Sequence, residues 1–336
     1  MYINELINQY NLSGSLKGGV KAYDRVATDL YVDKPLTNVS IAYKNNDMIG
    51  DLALPKIQVS QETGVIWKYG KENFVIRDMQ RGAKSRSKQT SYSVDTDTTY
   101  RITNYAISDI VTKNMRDMAE SPMQPESDTT EFLTDLLMLN KEYQVASILF
   151  NTGSTGFSGY TEALNNASSR YQWDDYTNSN PIDDVDYAKI TKIAASSGNT
   201  SDFAMVVGHD VWLQLKNHPD ILERIKYSQK GIITEQLVAE IMGLDNLYVG
   251  KALYNSANEG QTATLANVWG KYALVYHKGK PSIKTSATAA LIHGGMAVRK
   301  WTDNYLRGAT VIETEEALQA KILSAESGYL FSTAVA

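Results

Sequence analysis

The chain has 336 residues, with 33 basic and 38 acidic side chains and a net charge of -5. Apolar residues make up 43% and charged residues 21%, which excludes disorder and fibrous repeats. The mild acidity argues against a dedicated nucleic-acid binder, and the absence of cysteine excludes thiolate metal sites, cysteine nucleophiles and disulfides.

At roughly 150 residues per domain the length suggests about two domains. Residues 1–30 read as an arm. Ile3, Leu6, Ile7 and Tyr10 fall at helical spacing, and the Gly/Ser segment 13–19 ends a helix with too little apolar area to fold alone. The first ten residues have no basic stretch leading into an apolar run, so no secretory leader is expected. No stretch approaches the ~20 apolar residues of a membrane span, and synthesis in a cytoplasm is the expectation.

Val65, Trp67, Tyr69 and then Phe74, Ile76 read as strand, interrupted at Tyr69-Gly70-Lys71, with Tyr92, Val94, Tyr100 and Ile102 on a return strand within 90–108. The tip between them carries Arg77, Arg81, Lys84, Arg86 and Lys88 against the single acid Asp78. An isolated two-stranded hairpin is marginal in water, so this excursion is expected to rest on another surface.

Asp128 and Glu131 read as the capping box of a long helix over 128–151. Its apolar stripe is Phe132, Leu136, Leu139, Tyr143, Ala146 and Phe150, widened by Leu133, Leu137 and Ile148. A polar loop over 153–186 follows, rich in Tyr, Trp and Asp.

Helix and strand then alternate. A helix over 187–197 closes at Gly198, and a buried strand spans 203–208. Asp210 is expected to cap a helix over 211–217, a second helix covers 220–227, and Thr234 caps a third that stops at Gly243. Strands at 246–250, 268–269, 272–277 and 289–301 complete an α/β domain with a mixed sheet. Three more strand-like segments follow at 310–314, 318–323 and 329–331.

Enzyme signatures fail. Gly279-Lys280-Pro281-Ser282 ends like a phosphate loop, but Pro281 sits where Ser/Thr belongs and Leu274 where the upstream glycine belongs. His209, His218, His277 and His293 contain no i, i+4 pair, and His209 and His218 read as loop and capping residues around one helix. Sequence alone does not show a serine triad assembled in space. The acids Asp174, Asp175, Asp183, Asp184 and Asp186 lack the calcium-loop pattern and read as solvated or interface charge. The basic tip has no aromatic stacking platform, which favours a protein partner over nucleic acid. No catalytic, cofactor or metal residue is assigned, and no cofactor is expected.

The order of these parts resembles the major capsid proteins of tailed bacteriophages, the Hong Kong 97-type fold. So do Leu54-Pro55-Lys56-Ile57-Gln58-Val59, Tyr187-Ala188-Lys189-Ile190, the run from Val207 to Ile221, Thr234-Glu235-Gln236-Leu237 and the run from Tyr248 to Asn255. The resemblance covers the chain from about residue 50 onward. It implies an α+β subunit with an N-terminal arm (1–56), an extended β-hairpin loop (57–110) and a peripheral domain (111–186) whose spine helix is 128–151. An axial α/β domain (187–304), a strand returning to the peripheral domain (305–317) and C-terminal strands rejoining the axial domain (318–336) complete it.

The function so implied is structural: self-assembly through hexamers and pentamers into the icosahedral shell of a virion. Portal, scaffolding or decoration proteins would be partners, packaged DNA would be touched non-specifically, and no membrane would be involved. Some members crosslink a loop lysine to a distant asparagine, but no such pair is identified here. Loop residues Arg77, Arg81, Lys84, Arg86 and Lys88 are expected to lie near acids of an adjacent subunit, either Asp117, Glu120, Glu126 and Asp128 or Asp183, Asp184 and Asp186. The tyrosine excess, 21 against 6 Phe, has places at such contacts: Tyr69, Tyr92, Tyr100 and Tyr105 on the hairpin, and Tyr160, Tyr171, Tyr176 and Tyr187 on the acidic loop. The rival readings are an encapsulin-type compartment shell and a carbohydrate-active or carbohydrate-binding protein using the Tyr/Trp/Asp-rich loop 171–187.

Overall fold

In the computed structural model the described residues are 48–69, 75–81, 85–91, 94–120, 123–165, 170–226, 233–258, 260–280, 282, 287–303 and 308–336. Residues 1–47 of the expected N-terminal arm, Phe74, Lys84 and Tyr92 lie outside them. The chain divides into two compact units. One includes Ala106–Thr134 and Met296–Glu315, and the other includes Asp135–Gly295, Glu316–Ala336 and the residues leading to Tyr105.

The larger unit is built on a five-stranded sheet. Its strands are β7 (Thr161–Ala163), β8 (Phe203–Gly208), β9 (Asn246–Gly250), β12 (Ala273–His277) and β15 (Gly328–Ser332), in the order β7-β15-β12-β8-β9. β8 runs parallel to β9 and antiparallel to β12, with Val206 opposite both Tyr248 and Leu274. Alternation along the strands divides their side chains between two cores. Phe203, Met205, Val207, Ala273, Val275, Tyr329 and Phe331 enter one. Ala204, Val206, Leu274, Tyr276 and Leu330 enter the other. Burial on both faces is why β8 reads as an unbroken apolar run.

Helices α5 (His209–Asn217), α6 (Pro219–Lys226) and α7 (Glu235–Ile241) bury Trp212, Leu215, Ile221, Ile225 and Val238 in the first core. α7 starts as expected, with Thr234 Oγ1 accepting the Leu237 N–H at 3.3 Å. It ends at Gly243, whose φ of +62° is the left-handed conformation that suits glycine. α5 begins at His209 with Gly208 at its cap position, so Asp210 is not the cap; its carboxylate instead accepts the Asn267 side-chain amide. The expected helix over 187–197 begins earlier, as α4 (Pro181–Tyr187), and passes through a π-helical stretch, Ala188–Ala194. There Lys189 reaches the carbonyl of Met242 at 2.5 Å and closes the end of α7.

The spine helix α3 runs Pro125–Leu149. It starts a turn before the expected cap because Pro125 suits the first helical position, where no N–H is needed. Asp128 therefore sits inside the helix and accepts the backbone N–H of Gln124 at 3.2 Å. The buried stripe is also rotated from the expected one. Thr130, Leu133, Thr134, Leu137, Lys141, Glu142, Val145, Ala146 and Leu149 are buried, while Phe132 and Tyr143 are exposed. Thr130 and Thr134 hide their hydroxyls by donating to the carbonyls one turn back, at 2.8 and 2.6 Å.

Among the described residues the excursion after β1 (Lys56–Gln58) is paired at its base. β2 (Thr63–Val65) pairs with β5 (Thr99–Arg101), and β3 (Lys68–Tyr69) pairs with β4 (Val94–Asp95), both antiparallel. Ile76 is not in a strand and is fully exposed.

Strands β10 (Leu253–Asn255) and β11 (Leu265–Asn267) form a separate antiparallel pair, and long strands β13 (Ala289–Asp303) and β14 (Ala309–Ile322) lie between β1 and β6 (Thr103–Val111) in a second sheet, ordered β1-β13-β14-β6. The segments expected at 310–314 and 318–323 are thus mostly one continuous strand. Among the described residues of the smaller unit Val111, Leu133, Val298 and Ile312 form a core cluster, and Thr112 caps α2 (Lys113–Asp117).

Candidate interaction surfaces

Arg77, Arg81 and Arg86 are exposed, and none makes an ion pair among the described residues. Lys88 differs. Its ammonium sits 2.8 Å from the Asp78 carboxylate and 3.0 Å from the Asp78 carbonyl, and this bond holds the Asp78 carboxyl below its ordinary value. The unspent positive charge on the described part of the tip, 77–88, is therefore the three arginines. Beside them Val75, Ile76 and Met79 are exposed, which gives the loop an apolar as well as a basic character.

The acidic candidates divide sharply. Asp184 is not a surface charge: it is buried, accepting Arg170 Nη1 at 2.5 Å and the Trp173 indole N–H at 3.0 Å. Burial raises its pKa above the ordinary carboxylate value against the pull of those two donors. Asp186 pairs with Lys189 at 2.8 Å, and Asp183 accepts the Asn180 side chain at 2.7 Å. None of the three pairs with the loop arginines. Glu126 is held by Lys300 at 2.5 Å and by Arg116 at 3.7 Å. Asp117 and Glu120 are exposed, with no ion pair among the described residues. They lie among exposed Met115, Met118 and Met123.

The 171–187 loop is not an open aromatic surface. Trp173 is completely buried against Phe331, and Tyr187 carries the Arg170 guanidinium 3.6 Å above its ring. Of the tyrosines expected to face outward, Tyr100 is buried, while Tyr176 is exposed. Among the described residues no group of three or more His, Asp or Glu side chains is placed to hold a metal ion.

Two buried charged clusters have no counterpart in the sequence reading. Glu142 accepts the N–H groups of Ile49 and Gly50, at 2.9 and 2.5 Å, and the indole N–H of Trp269 at 2.6 Å. Burial still raises its pKa. Its neighbour Lys141 bonds Asp51 at 2.9 Å and Glu316 at 3.2 Å, and Glu316 in turn lies 3.2 Å from His293 Nε2. The only hint was a charged pair, Lys141-Glu142, inside an apolar helical pattern.

Two curated phage proteins are similar to this chain along almost its whole length. The major capsid protein of Pseudomonas phage JBD67 is 26% identical over 318 residues, covering 91% of this chain and 97% of the relative. That of Burkholderia phage BcepMu is 28% identical over 322 residues, covering 90% and 96%. No family model matches. Among solved structures, a phage-related protein of Bordetella bronchiseptica RB50 superposes with a TM-score of 0.70 at 21% identity, covering 91% of this chain and 98% of that one. A chain of the capsid structure of Cyanophage P-SCSP1u gives a TM-score of 0.56 at 10% identity, with 86% and 89% coverage.

The chain has the Hong Kong 97-type capsid fold. A virus-like particle from Pyrococcus furiosus is also similar, at TM-score 0.52 and 11% identity over 93% of this chain and all of that one. Within the capsid fold the loop arginines lie on the excursion 57–110, and Asp117, Glu120, Glu126 and Asp128 flank or begin the spine helix.

Proposed function

We propose that this protein is the major capsid subunit of a tailed bacteriophage, a structural protein that self-assembles into the icosahedral shell of the virion. The observation that carries this is similarity to two phage major capsid proteins over 90% or more of this chain and 96% or more of each relative. The same match favours a phage capsid over an encapsulin-type compartment. The carbohydrate reading loses its physical basis with Trp173 and Asp184 buried.

In this reading 57–110 is the extended loop, 111–186 the peripheral region and 187–304 most of the axial region. Synthesis takes place in the host cytoplasm, and portal, scaffolding or decoration proteins and non-specifically bound DNA are the further partners. Subunit contacts in a shell of identical chains are heterologous, so a patch on one copy meets a different patch on the next. We infer that Arg77, Arg81 and Arg86, with Val75, Ile76 and Met79, dock on the start of the neighbour's spine helix. From 113 to 135 that region carries Asp117, Glu120, Glu126, Asp128, Glu131 and Asp135 against Lys113 and Arg116. Lys84, on the same loop, has the sign to join them.

Negative-stain microscopy and size-exclusion chromatography of the purified chain test the function. Closed shells or capsomers are expected; a small monomer under all assembly conditions overturns it.

A further inference from the structure

His218 lies at the corner between α5 and α6 and has no solvent exposure. Its Nδ1 is 3.3 Å from the backbone nitrogen of Asp220, and its Nε2 is 3.0 Å from Ser179 Oγ. An amide only donates, so Nδ1 must present its lone pair and Nε2 must carry the proton. The Ser179 hydroxyl gives its own proton to the Asp175 carbonyl at 2.7 Å, which leaves Oγ free to accept from Nε2. Every proton in the chain is thereby placed. Ser179, His218 and Asp220 do meet in space, with Asp220 Oδ2 3.8 Å from Nδ1. They do not form a nucleophilic triad, because Nε2 has no lone pair with which to take the serine proton.

The neutral ring performs two tasks. Nδ1 caps the first turn of α6, where Pro219 has no N–H and Asp220 offers the first free one. Nε2–H holds the segment 175–179, which is already folded on itself by the Asp175 carboxylate accepting Asn178 at 2.9 Å. The same segment sends the Tyr176 ring edge-on to the imidazole, at 5.5 Å between centroids, and its hydroxyl to Gln214 of α5 at 2.5 Å.

Adding a proton at Nδ1 turns the cap acceptor into a donor pointed at another donor. It also places a cation at a helix N-terminus, in a site shielded from water. The titratable groups facing the ring are Asp220 and Tyr176. Asp220 favours the imidazolium, but its side chain is 42% exposed, and burial outweighs it, holding the His218 pKa below the ordinary histidine value.

We propose that His218 is an acid-operated latch: neutral, it locks the segment 175–179 to the α5–α6 corner, and proton uptake releases that segment. The latch is independent of the capsid reading, since it lies within one subunit.

Deuterium exchange on the full chain tests it in two ways. Exchange at the histidine C2 position, followed by mass spectrometry from pH 4 to 8, reads the His218 midpoint. A midpoint below the ordinary value of about 6.5 is expected, and one at or above it overturns the latch. Backbone exchange over 175–179, corrected for the intrinsic effect of pH, is then compared at pH 7.5 and one unit below that midpoint. A loss of protection of about tenfold or more, concentrated in this segment and the first turn of α6, is expected; unchanged protection overturns the proposal. His218→Gln, which keeps a donor toward Ser179 and takes up no proton, should abolish the pH step, and a step that persists there also overturns it. The two wild-type measurements decide the matter if that variant does not fold.

Discussion

Glu142 on the spine helix accepts the indole N–H of Trp269, 127 residues further along the chain, at 2.6 Å. The same carboxylate accepts two consecutive backbone amides at Ile49 and Gly50, the entry to the short helix α1 (Gly50–Ala53). One side chain thus ties three distant stretches together. Glu142→Ala leaves three buried donors without an acceptor and is expected to destabilise the subunit by about 3 kcal/mol. Glu142→Gln keeps one acceptor oxygen and should cost less. Guanidinium unfolding followed by tryptophan fluorescence checks both; equal losses would mean that the acceptor oxygens are not what the site uses.

The Lys141–Glu316–His293 cluster sets a pH dependence. Burial alone would raise the Glu316 pKa, but the hydrogen bond from His293 and the charge of Lys141 prevail and lower it. A carboxylate depressed in the folded state binds fewer protons there than when unfolded. Its contribution is present above the ordinary carboxylate value and is lost as pH falls through the lowered one. Lys141→Met removes one of the two partners and should move acid unfolding to higher pH. Urea midpoints between pH 3 and 6 test this, and an unshifted acid limb would contradict it.

Gly250 must stay small because of Trp269. A Cβ at position 250 would come within 2.1 Å of the indole ring, while the backbone itself is ordinary strand. Gly250→Ala must therefore displace a wholly buried ring, at a cost of about 1–3 kcal/mol or more. A lower melting temperature with altered tryptophan emission is expected; a wild-type melt would show that the ring has room to move.

Charge reversal separates assembly from folding. Arg77→Glu, Arg81→Glu and Arg86→Glu together touch no partner among the described residues, so the isolated subunit should keep its stability within about 0.5 kcal/mol. Shell formation should fall sharply, and a second set of reversals, Asp117→Lys with Glu120→Lys, should restore it in part. Raising salt should weaken wild-type assembly, because exposed charges are screened beyond about 8 Å at physiological ionic strength. Undiminished shell yield by light scattering would place the loop contact elsewhere.

Met115, Met118 and Met123 offer an apolar counterpart. Replacing all three with Ser removes exposed methionines that support no core, so the subunit should melt as before. Assembly measured by light scattering should be delayed or lost, and unaffected assembly would exclude this surface from the contact.

Local patterns in the sequence determined most of the larger unit. The apolar run at 203–208, the Thr234 cap, the Gly243 stop and the apolar run at 273–276 each depend on neighbours a few residues away. The resemblance to phage capsid proteins was legible for the same reason: it rested on the order and spacing of such pieces. The tertiary structure decided what depends on distant partners. The spine helix turns Lys141 and Glu142 inward because Asp51, Glu316 and Trp269 wait there, and no local signal carries that. Asp184 looked like one more acid in a charged loop until Arg170 and Trp173 enclosed it. The absence of cysteine excluded one class of chemistry and one means of crosslinking from the start. What replaces crosslinks within the subunit, buried carboxylates that gather donors from remote segments, follows from packing in three dimensions, where an unpaired buried group is too costly to leave unmet.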